Sequence, residues 1–353
     1  MKLFSARAQH LVAAVVAIWT VGCTPPLTKY RTDIPALQLS VVGQPSASDG
    51  RARFREIYCG VLASAPDLVG TSCDVALIRL SDEPPAKSDS APLPQPDPRL
   101  HILLVGGAFG ECFQDTAPPV AAAIAKLSGL GYRIRMVAVD GRSSSTHNAS
   151  QIASAVRDER LDPGDKLVLV GYSKGTPDIL EFLVGSPDLA LRVDAVMSIA
   201  GAVNGSPLGD AYAGLYAMVS GIDFKICKAG DGGVVDSLRV KVRMSWLAEH
   251  SLPRSVRYFS LGSFTVPDQT ARLMYLTKRD LGRAEALNDG QTIFYDQVIP
   301  GSVLLGYANG DHWAVVLPLQ EKWPYWGGNS GETHYPRDLL FEAVVLYVGE
   351  ALQ

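Results

Sequence analysis

The fold of this chain is decided by residues 166–177, KLVLVGYSKGTP, in which a short apolar run ends in the pattern Gly-x-Ser-x-Gly. The run is typical of a buried strand, and residues 178–184 after it have helical spacing. Pro177 falls in the first helical turn, where a missing N–H is tolerated. The two glycines permit the sharp turn that lifts Ser173 clear of its backbone, as a nucleophilic serine requires. The pentapeptide alone is weak evidence, but its strand and helix context indicates a nucleophile elbow.

The overall composition is that of an ordinary globular protein. The chain has 353 residues, of which 47% are hydrophobic, and this is enough for one large domain or two modest ones. Its formal net charge is −4, and the sequence contains no dense basic stretch. We therefore expect no nucleic-acid partner, because nucleic-acid binding needs a concentrated positive surface.

The first 23 residues predict export. Two basic residues precede an unbroken apolar run at residues 11–19, which is typical of a signal peptide and short for a membrane span. The following TVGC, residues 20–23, resembles the lipobox of bacterial lipoproteins, although Thr20 stands where that pattern usually has Leu. The resemblance implies removal of residues 1–22, lipidation of Cys23 and attachment to the periplasmic face of a bacterial membrane. The alternative is an ordinary signal peptide cleaved nearby, which would give a periplasmic or secreted protein.

Export affects the interpretation of the other four cysteines, Cys59, Cys73, Cys112 and Cys227. An even number of cysteines in an oxidising compartment favours disulfides over thiol chemistry. Three pairings are possible, and closeness in sequence favours Cys59 with Cys73, which leaves Cys112 with Cys227. The sequence has no spacing typical of zinc ligands, so we predict no metal site.

The sequence after the signal divides into two predicted regions. Residues 23–98 contain a tether, a small region with strand-like pieces such as Asp74–Leu80, and a Pro- and Ser-rich linker. Residues 99–353 alternate short apolar runs with helical patterns, which indicates an α/β fold with a mostly parallel, doubly wound sheet. Residues 204–250 lie between two predicted strands and are too long for a simple crossover, so they predict a lid-like excursion or a docking surface.

The strands and helices of the second region follow from these patterns. The predicted strands are Ile102–Val105, Ile134–Val139, Leu167–Val170, Ala195–Ile199, Val256–Leu261 and Val303–Leu305. The predicted helices are Val120–Leu127, Ala149–Arg157, Ile179–Val184 and Asp338–Leu352.

The elbow on the third of these strands resembles that of the α/β-hydrolase fold, and the resemblance to its lipases and esterases covers residues 99–353. In that family the catalytic residues occur in the order Ser, then Asp or Glu, then His. Among the histidines that follow Ser173, only His312 comes directly after a predicted strand. The resemblance therefore implies that His312 is the general base. The alternative is a surface loop histidine that caps the adjacent helix.

The acid that orients this histidine is expected in Asn288-Asp289-Gly290, which resembles the Asn-Asp-Gly turn of bacterial and secreted lipases. Asp289 would fix the imidazole tautomer and stabilise the imidazolium that forms during the reaction. Asn-Asp-Gly is also an ordinary turn sequence, so Asp268 and Asp296 remain rival candidates.

The resemblance further implies an oxyanion hole. One backbone N–H would come from Lys174, directly after the nucleophile, and a second from Ala108 or Phe109 in the glycine loop GGAFGE, residues 106–111. This loop lacks the glycine spacings of nucleotide-binding loops, so no nucleotide cofactor is expected.

The sequence thus predicts a serine hydrolase that cleaves a carboxylic ester through an acyl-enzyme intermediate. It needs no metal or organic cofactor. The expected substrate is a small-molecule or lipid ester, the expected membrane contact is the lipid on Cys23, and no protein partner is implied. Because one fold supports many chemistries, an acyltransferase or peptidase with the same residues remains an alternative. A non-catalytic envelope lipoprotein on the same scaffold is another.

Overall fold

The structure is a computed structural model that describes residues 31–65, 72–86, 92–113, 115–219, 228, 230–266, 269–319 and 335–353. Within these residues, eight strands form one sheet. They are β1 Ser48–Asp49, β2 Leu77–Ile78, β3 Leu100–Val105, β4 Arg133–Val137, β5 Lys166–Tyr172, β6 Ala195–Ile199, β7 Arg257–Phe264 and β8 Val303–Asn309. The predicted signal peptide and Cys23 lie outside the described residues, so export and lipidation stay predictions.

The sheet has the strand order β1-β8-β7-β6-β5-β3-β4, and β2 pairs with β8 outside this path. Every pair is parallel except β2 with β8. The predicted mostly parallel sheet is therefore confirmed, and all six predicted strands are present with small shifts at their ends. Five of the six are almost entirely buried, whereas β4 at the sheet edge alternates between exposed and covered positions.

Helices cover both faces of the sheet, as a doubly wound fold requires. One face packs against Arg51–Ala63, Ala121–Gly129 and Arg337–Leu352, and the other against Ser145–Asp158 and Gly175–Gly185. The other α-helices are Cys73–Ala76, Gly110–Phe113, Pro187–Ala190, Pro207–Val219, Val240–Glu249 and Tyr275–Leu281. Short 3₁₀ helices occupy Asp236–Leu238, Arg272–Met274 and Phe294–Gln297. Three of the four predicted helices lie within longer observed ones, and the fourth, predicted from Val120, is observed as Ala121–Gly129 with Val120 as its N-cap.

The region before residue 99 joins the same sheet through β1 and β2, and its helix Arg51–Ala63 packs on Arg337–Leu352. The strand-like interpretation of residues 74–80 is wrong for its first half, since Cys73–Ala76 is helical. The reason is a helix cap, because the Ser72 hydroxyl accepts a hydrogen bond from the Val75 N–H and starts a turn there.

The cysteines follow the predicted pattern where the structure describes them. Cys59 and Cys73 form a disulfide that ties the helix Arg51–Ala63 to the short helix before β2. Cys112 is disulfide-bonded as well. Its predicted partner, Cys227, lies outside the described residues, so that pairing stays a prediction.

Candidate active site

Ser173 stands on a sharp turn between β5 and the helix Gly175–Gly185. Its φ of +55° lies in the left-handed region, which non-glycine residues rarely adopt. Neighbouring backbone holds this conformation, because Ser173 N–H donates to Ile199 O and Ser173 O accepts from Ala202 N–H. A Cβ on Gly171 would lie 2.7 Å from the Thr176 Cα, so only glycine fits there. The motif is thus a strained turn enforced by its surroundings.

The structure brings Ser173, His312 and Asp289 together in one hydrogen-bonded chain. His312 Nε2 lies 2.7 Å from Ser173 Oγ, and His312 Nδ1 lies 2.7 Å from Asp289 Oδ2. All three side chains are buried, with Ser173 the most exposed of them at 9%. The histidine follows β8, and its backbone is fixed at both ends because its N–H donates to Asp289 O and its carbonyl accepts from the Tyr172 hydroxyl. The predicted nucleophile, base and acid are therefore within hydrogen-bonding reach of one another.

Asp289 is fully buried and surrounded by hydrogen-bond donors. Its Oδ1 accepts from the backbone N–H groups of Gln291 and Thr292 at 2.8 and 2.7 Å. Its Oδ2 accepts from the hydroxyls of Ser263 and Thr292 at 2.9 and 3.0 Å. Burial alone would raise the pKa of Asp289, but the charge of His312 and these hydrogen bonds outweigh it and lower the pKa. The aspartate is therefore held ionised against the imidazole.

The rival acids are placed differently. Asp296 is buried beside Asn204, whose amide Nδ2 lies 3.1 Å from its Oδ1. Burial raises the pKa of Asp296 to about 6. Asp268 lies outside the described residues, as does His334. His250 ends the helix Val240–Glu249, with its Nδ1 against Trp246 O.

The predicted oxyanion donors lie around Ser173. The backbone N–H groups of Lys174 and Ala108 donate to no acceptor within the described part of the chain. In contrast, the Phe109 N–H donates to Gly141 O at 2.9 Å and is already used. Among the two loop candidates, the geometry therefore favours Ala108 over Phe109 as the second donor. Gly107 lies directly against the nucleophile, since a Cβ there would be 2.8 Å from the Ser173 Cβ.

An apolar cavity of about 500 Å³ opens at Ser173. The glycine loop 106–111 forms one wall, and the segment from Trp313 to Leu319 forms another. The predicted lid-like region, residues 204–250, contributes the apolar side chains Leu208, Val235 and Leu238. A cavity with these walls suits an uncharged, apolar group bound next to the serine hydroxyl.

Two contacts made by buried lysines near the site were not predicted from the sequence. The Lys174 ammonium forms a buried ion pair with Asp178 at 2.6 Å, directly below the elbow. Lys278 is buried near Asp289 and Asp311, and its Nζ donates to Asn288 O at 2.6 Å. Burial lowers the pKa of Lys278 to about 8, against the opposing effect of these two carboxylates. The spacing of residues 174 and 178, one helical turn apart, could have signalled the first pair, whereas no local pattern marks Lys278.

Metal and membrane features are both absent from the part of the chain that the structure describes. Its His, Cys, Asp and Glu side chains form no group of three or more that could hold a metal ion. None of its helices combines the length and apolar character needed to cross a membrane.

Comparison with known proteins shows which solved structures this fold resembles. No protein-family model matches the chain, and no curated protein matches it either. Among solved structures, the metagenomic carboxyl esterase MGS0156 is similar with 34% identity and a TM-score of 0.79, covering 89% of this chain and 97% of its own. The mature lipase BlEst2 of Bacillus licheniformis shares the fold at 19% identity and a TM-score of 0.52, covering 72% of this chain and 96% of its own.

The lipase of Staphylococcus hyicus also shares the fold, at 12% identity and a TM-score of 0.51, covering 74% of this chain and 99% of its own. The identity to the metagenomic esterase extends over nearly the full length of both chains, so the similarity is more than a shared architecture. The fold predicted from the elbow is thus confirmed, and the chain belongs to the carboxyl esterases of the α/β-hydrolase fold.

Proposed function

We propose that this protein hydrolyses carboxylic esters through a covalent acyl-enzyme on Ser173. The observation that carries the proposal is the chain of two 2.7 Å hydrogen bonds from Ser173 Oγ through His312 to Asp289. The likeness to a carboxyl esterase over 89% of the chain supports the ester as the bond that is cleaved.

The protonation of His312 follows from its two neighbours. Asp289 is ionised and accepts hydrogen bonds only, so His312 Nδ1 carries the proton that it donates to Asp289 Oδ2. The lone pair of Nε2 then faces the Ser173 hydroxyl. Ser173 Oγ attacks the ester carbonyl carbon while its proton moves to Nε2, and the resulting imidazolium is stabilised by Asp289. His312 next gives this proton to the leaving alkoxide, which departs as the alcohol.

Deacylation repeats the sequence with water. A water molecule loses a proton to His312 Nε2 and attacks the acyl carbon, and the proton then returns to Ser173 Oγ as the carboxylic acid leaves. In both halves the carbonyl oxygen carries negative charge, for which the N–H groups of Lys174 and Ala108 are the proposed donors. The hydroxyl, the imidazole and these amides suffice for the full cycle without a cofactor.

The cavity supports esters of uncharged, apolar acids as substrates, whether small molecules or lipids. Its walls next to Ser173 are formed mainly by apolar side chains and glycine backbone. A carboxylate group on the acyl chain would lose its hydration there and would also face the Glu111 and Asp311 carboxyls of the lining, at a cost of several kcal/mol (about 2–7 for even a neutral polar group).

Turnover of p-nitrophenyl esters of rising acyl length tests the proposal. We expect the wild type to hydrolyse several of them and Ser173→Ala to lose about 10⁴-fold or more in kcat, because among the described residues the hydroxyl that lies against His312 Nε2 is that of Ser173. Ser154→Ala, an exposed serine on the helix Ser145–Asp158, is the matched control and should keep wild-type activity. Equal ester turnover by wild type and Ser173→Ala would contradict the proposal.

A further inference from the structure

Glu111 reaches across the glycine loop to the turn after β4. From the short helix Gly110–Phe113, its Oε2 accepts a hydrogen bond from the Gly141 N–H at 2.5 Å. The carbonyl of the same glycine accepts the Phe109 N–H at 2.9 Å. The N–H and the carbonyl of Gly141 are therefore both hydrogen-bonded, the first to Glu111 and the second to Phe109. These two hydrogen bonds are called here the Gly141 clamp.

The clamp leaves no space for any other residue at position 141. A Cβ on Gly141 would lie 2.7 Å from Phe109 N and 2.9 Å from Gly110 N, and it would also collide with Glu111 Oε2. Phe109 has a φ of +58°, in the left-handed region that costs a non-glycine residue free energy. A strained residue persists only where neighbouring contacts hold it, and the clamp supplies such a contact at Phe109.

Burying the Glu111 carboxyl costs hydration free energy, and in return the carboxyl makes a single hydrogen bond, to the Gly141 N–H. Its second oxygen, Oε1, is buried without a hydrogen-bond partner in the described part of the chain. Burial raises the pKa of Glu111, with only a partial offset from the Gly141 N–H. A group that loses hydration in this way contributes little to stability. Its place in the lining of the cavity that opens at Ser173 points to a functional role instead.

From this geometry we infer that Glu111 is a positioning residue for the oxyanion hole, an inference that rests on the proposed ester hydrolysis. By accepting the Gly141 N–H, it holds the Gly141 carbonyl on the Phe109 N–H, fixes the left-handed turn at Phe109, and keeps the preceding Ala108 N–H free for the substrate oxygen. Gly107 and Ala108 lie in the same cavity wall as Glu111, next to Ser173. Glu111 itself touches no reacting atom and acts through the loop backbone.

A matched pair of variants, Glu111→Met and Glu111→Gln, tests the inference. The two replacements are similar in size and uncharged, but only the Gln side chain has an oxygen that can accept the Gly141 N–H. We expect Glu111→Met to lower kcat about 100-fold with KM within about 2-fold, because losing one oxyanion donor costs about 10²- to 10³-fold in kcat. We expect Glu111→Gln to stay within about 5-fold of the wild type.

A second readout separates oxyanion binding from general damage to the fold. Affinity for an alkyl boronic acid, which forms a tetrahedral adduct with the serine, should fall in parallel with kcat in Glu111→Met and remain in Glu111→Gln. If Glu111→Met is not recovered folded, Glu111→Asp replaces it, since the shorter carboxylate cannot span to Gly141 and should lose kcat similarly.

Either of two results would overturn the inference. One is wild-type kcat in the folded Met or Asp variant, and the other is an equal loss in the Met and Gln variants. Failure of the proposed function would look different, because the wild type itself would then turn over no ester and would not bind the boronic acid at Ser173.

Discussion

Asp289 and Asp296 lie on the same connection between β7 and β8, and both are buried, yet their surroundings shift their pKa values in opposite directions. Asp289 accepts hydrogen bonds from two backbone amides and two hydroxyls and faces His312. In the described residues, the Asp296 carboxyl accepts a hydrogen bond from Asn204 alone. Burial dominates at Asp296 and favours the neutral acid, whereas donors and charge dominate at Asp289 and favour the carboxylate.

The two aspartates differ in the property that makes one of them suitable as the acid of the site. Burial is common to both residues, so burial alone does not make an aspartate suitable as a partner for the imidazole. A preorganised set of hydrogen-bond donors makes an aspartate suitable, because it keeps the carboxylate ionised where the proposed mechanism forms the imidazolium. Lys278 adds a cation near Asp289, with its Nζ on the carbonyl of the preceding residue.

The largest expected contrast between the two aspartates is in the rate of ester hydrolysis. We expect Asp289→Asn to lower kcat about 10⁴-fold, because an amide facing Nδ1 stabilises the wrong imidazole tautomer and cannot balance the imidazolium charge. The measurement is kcat for a p-nitrophenyl ester, with circular dichroism to show that the variant is folded.

Asp296→Asn is the matched control for that experiment, since it makes the same chemical change on the same connection. It should leave kcat within about 3-fold of the wild type, because Asp296 contacts Asn204 and not His312. A larger loss of kcat in Asp296→Asn than in Asp289→Asn would reverse the assignment of the acid.

The smaller contrast is in the pH dependence of stability. The folded pKa of Asp296 is about 6, above the value of about 3.9 for an unfolded aspartate. Between these values the folded state binds more protons, so the contribution of Asp296 to stability falls as the pH rises from about 4 to about 6. We expect Asp296→Asn to gain roughly 1–3 kcal/mol relative to the wild type over this interval.

Urea denaturation of both proteins at pH 4, 5, 6 and 7 measures this difference in the free energy of unfolding. Asparagine does not titrate, so the variant serves as the reference at each pH. A difference that stays constant across the interval would show that the pKa of Asp296 is the same in the folded and the unfolded protein, and would contradict the prediction.

Much of the fold could be predicted from local sequence patterns. The apolar runs of β3 to β8 are each enough to predict a strand. The Gly-x-Ser-x-Gly turn identified β5 and the helix after it. The prediction that His312 comes directly after a strand is confirmed, since it follows β8. Asp289 could not be separated from its rivals, because Asn-Asp-Gly is an ordinary turn and the donors around it become neighbours only in the folded chain.

The features that escaped prediction depend on contacts between distant residues. Glu111 meets Gly141 across 30 positions, and Lys278 meets Asn288 from a separate helix, so neither leaves a periodic pattern. The two-residue strands β1 and β2 are too short for an alternating pattern to show. The helical turn at Cys73–Ala76 was missed because its Ser72 cap outweighed the strand-like residues that follow.

Covalent labelling tests the central claim, a nucleophilic Ser173 activated by His312, most directly. Ser173 Oγ should attack the phosphorus of a fluorophosphonate, release fluoride and leave a stable phosphonyl ester. Intact mass and peptide mapping should show one adduct per chain on Ser173, loss of esterase activity in proportion to labelling, and no adduct on Ser173→Ala. An adduct on another residue, or full esterase activity in the fully labelled protein, would contradict the account.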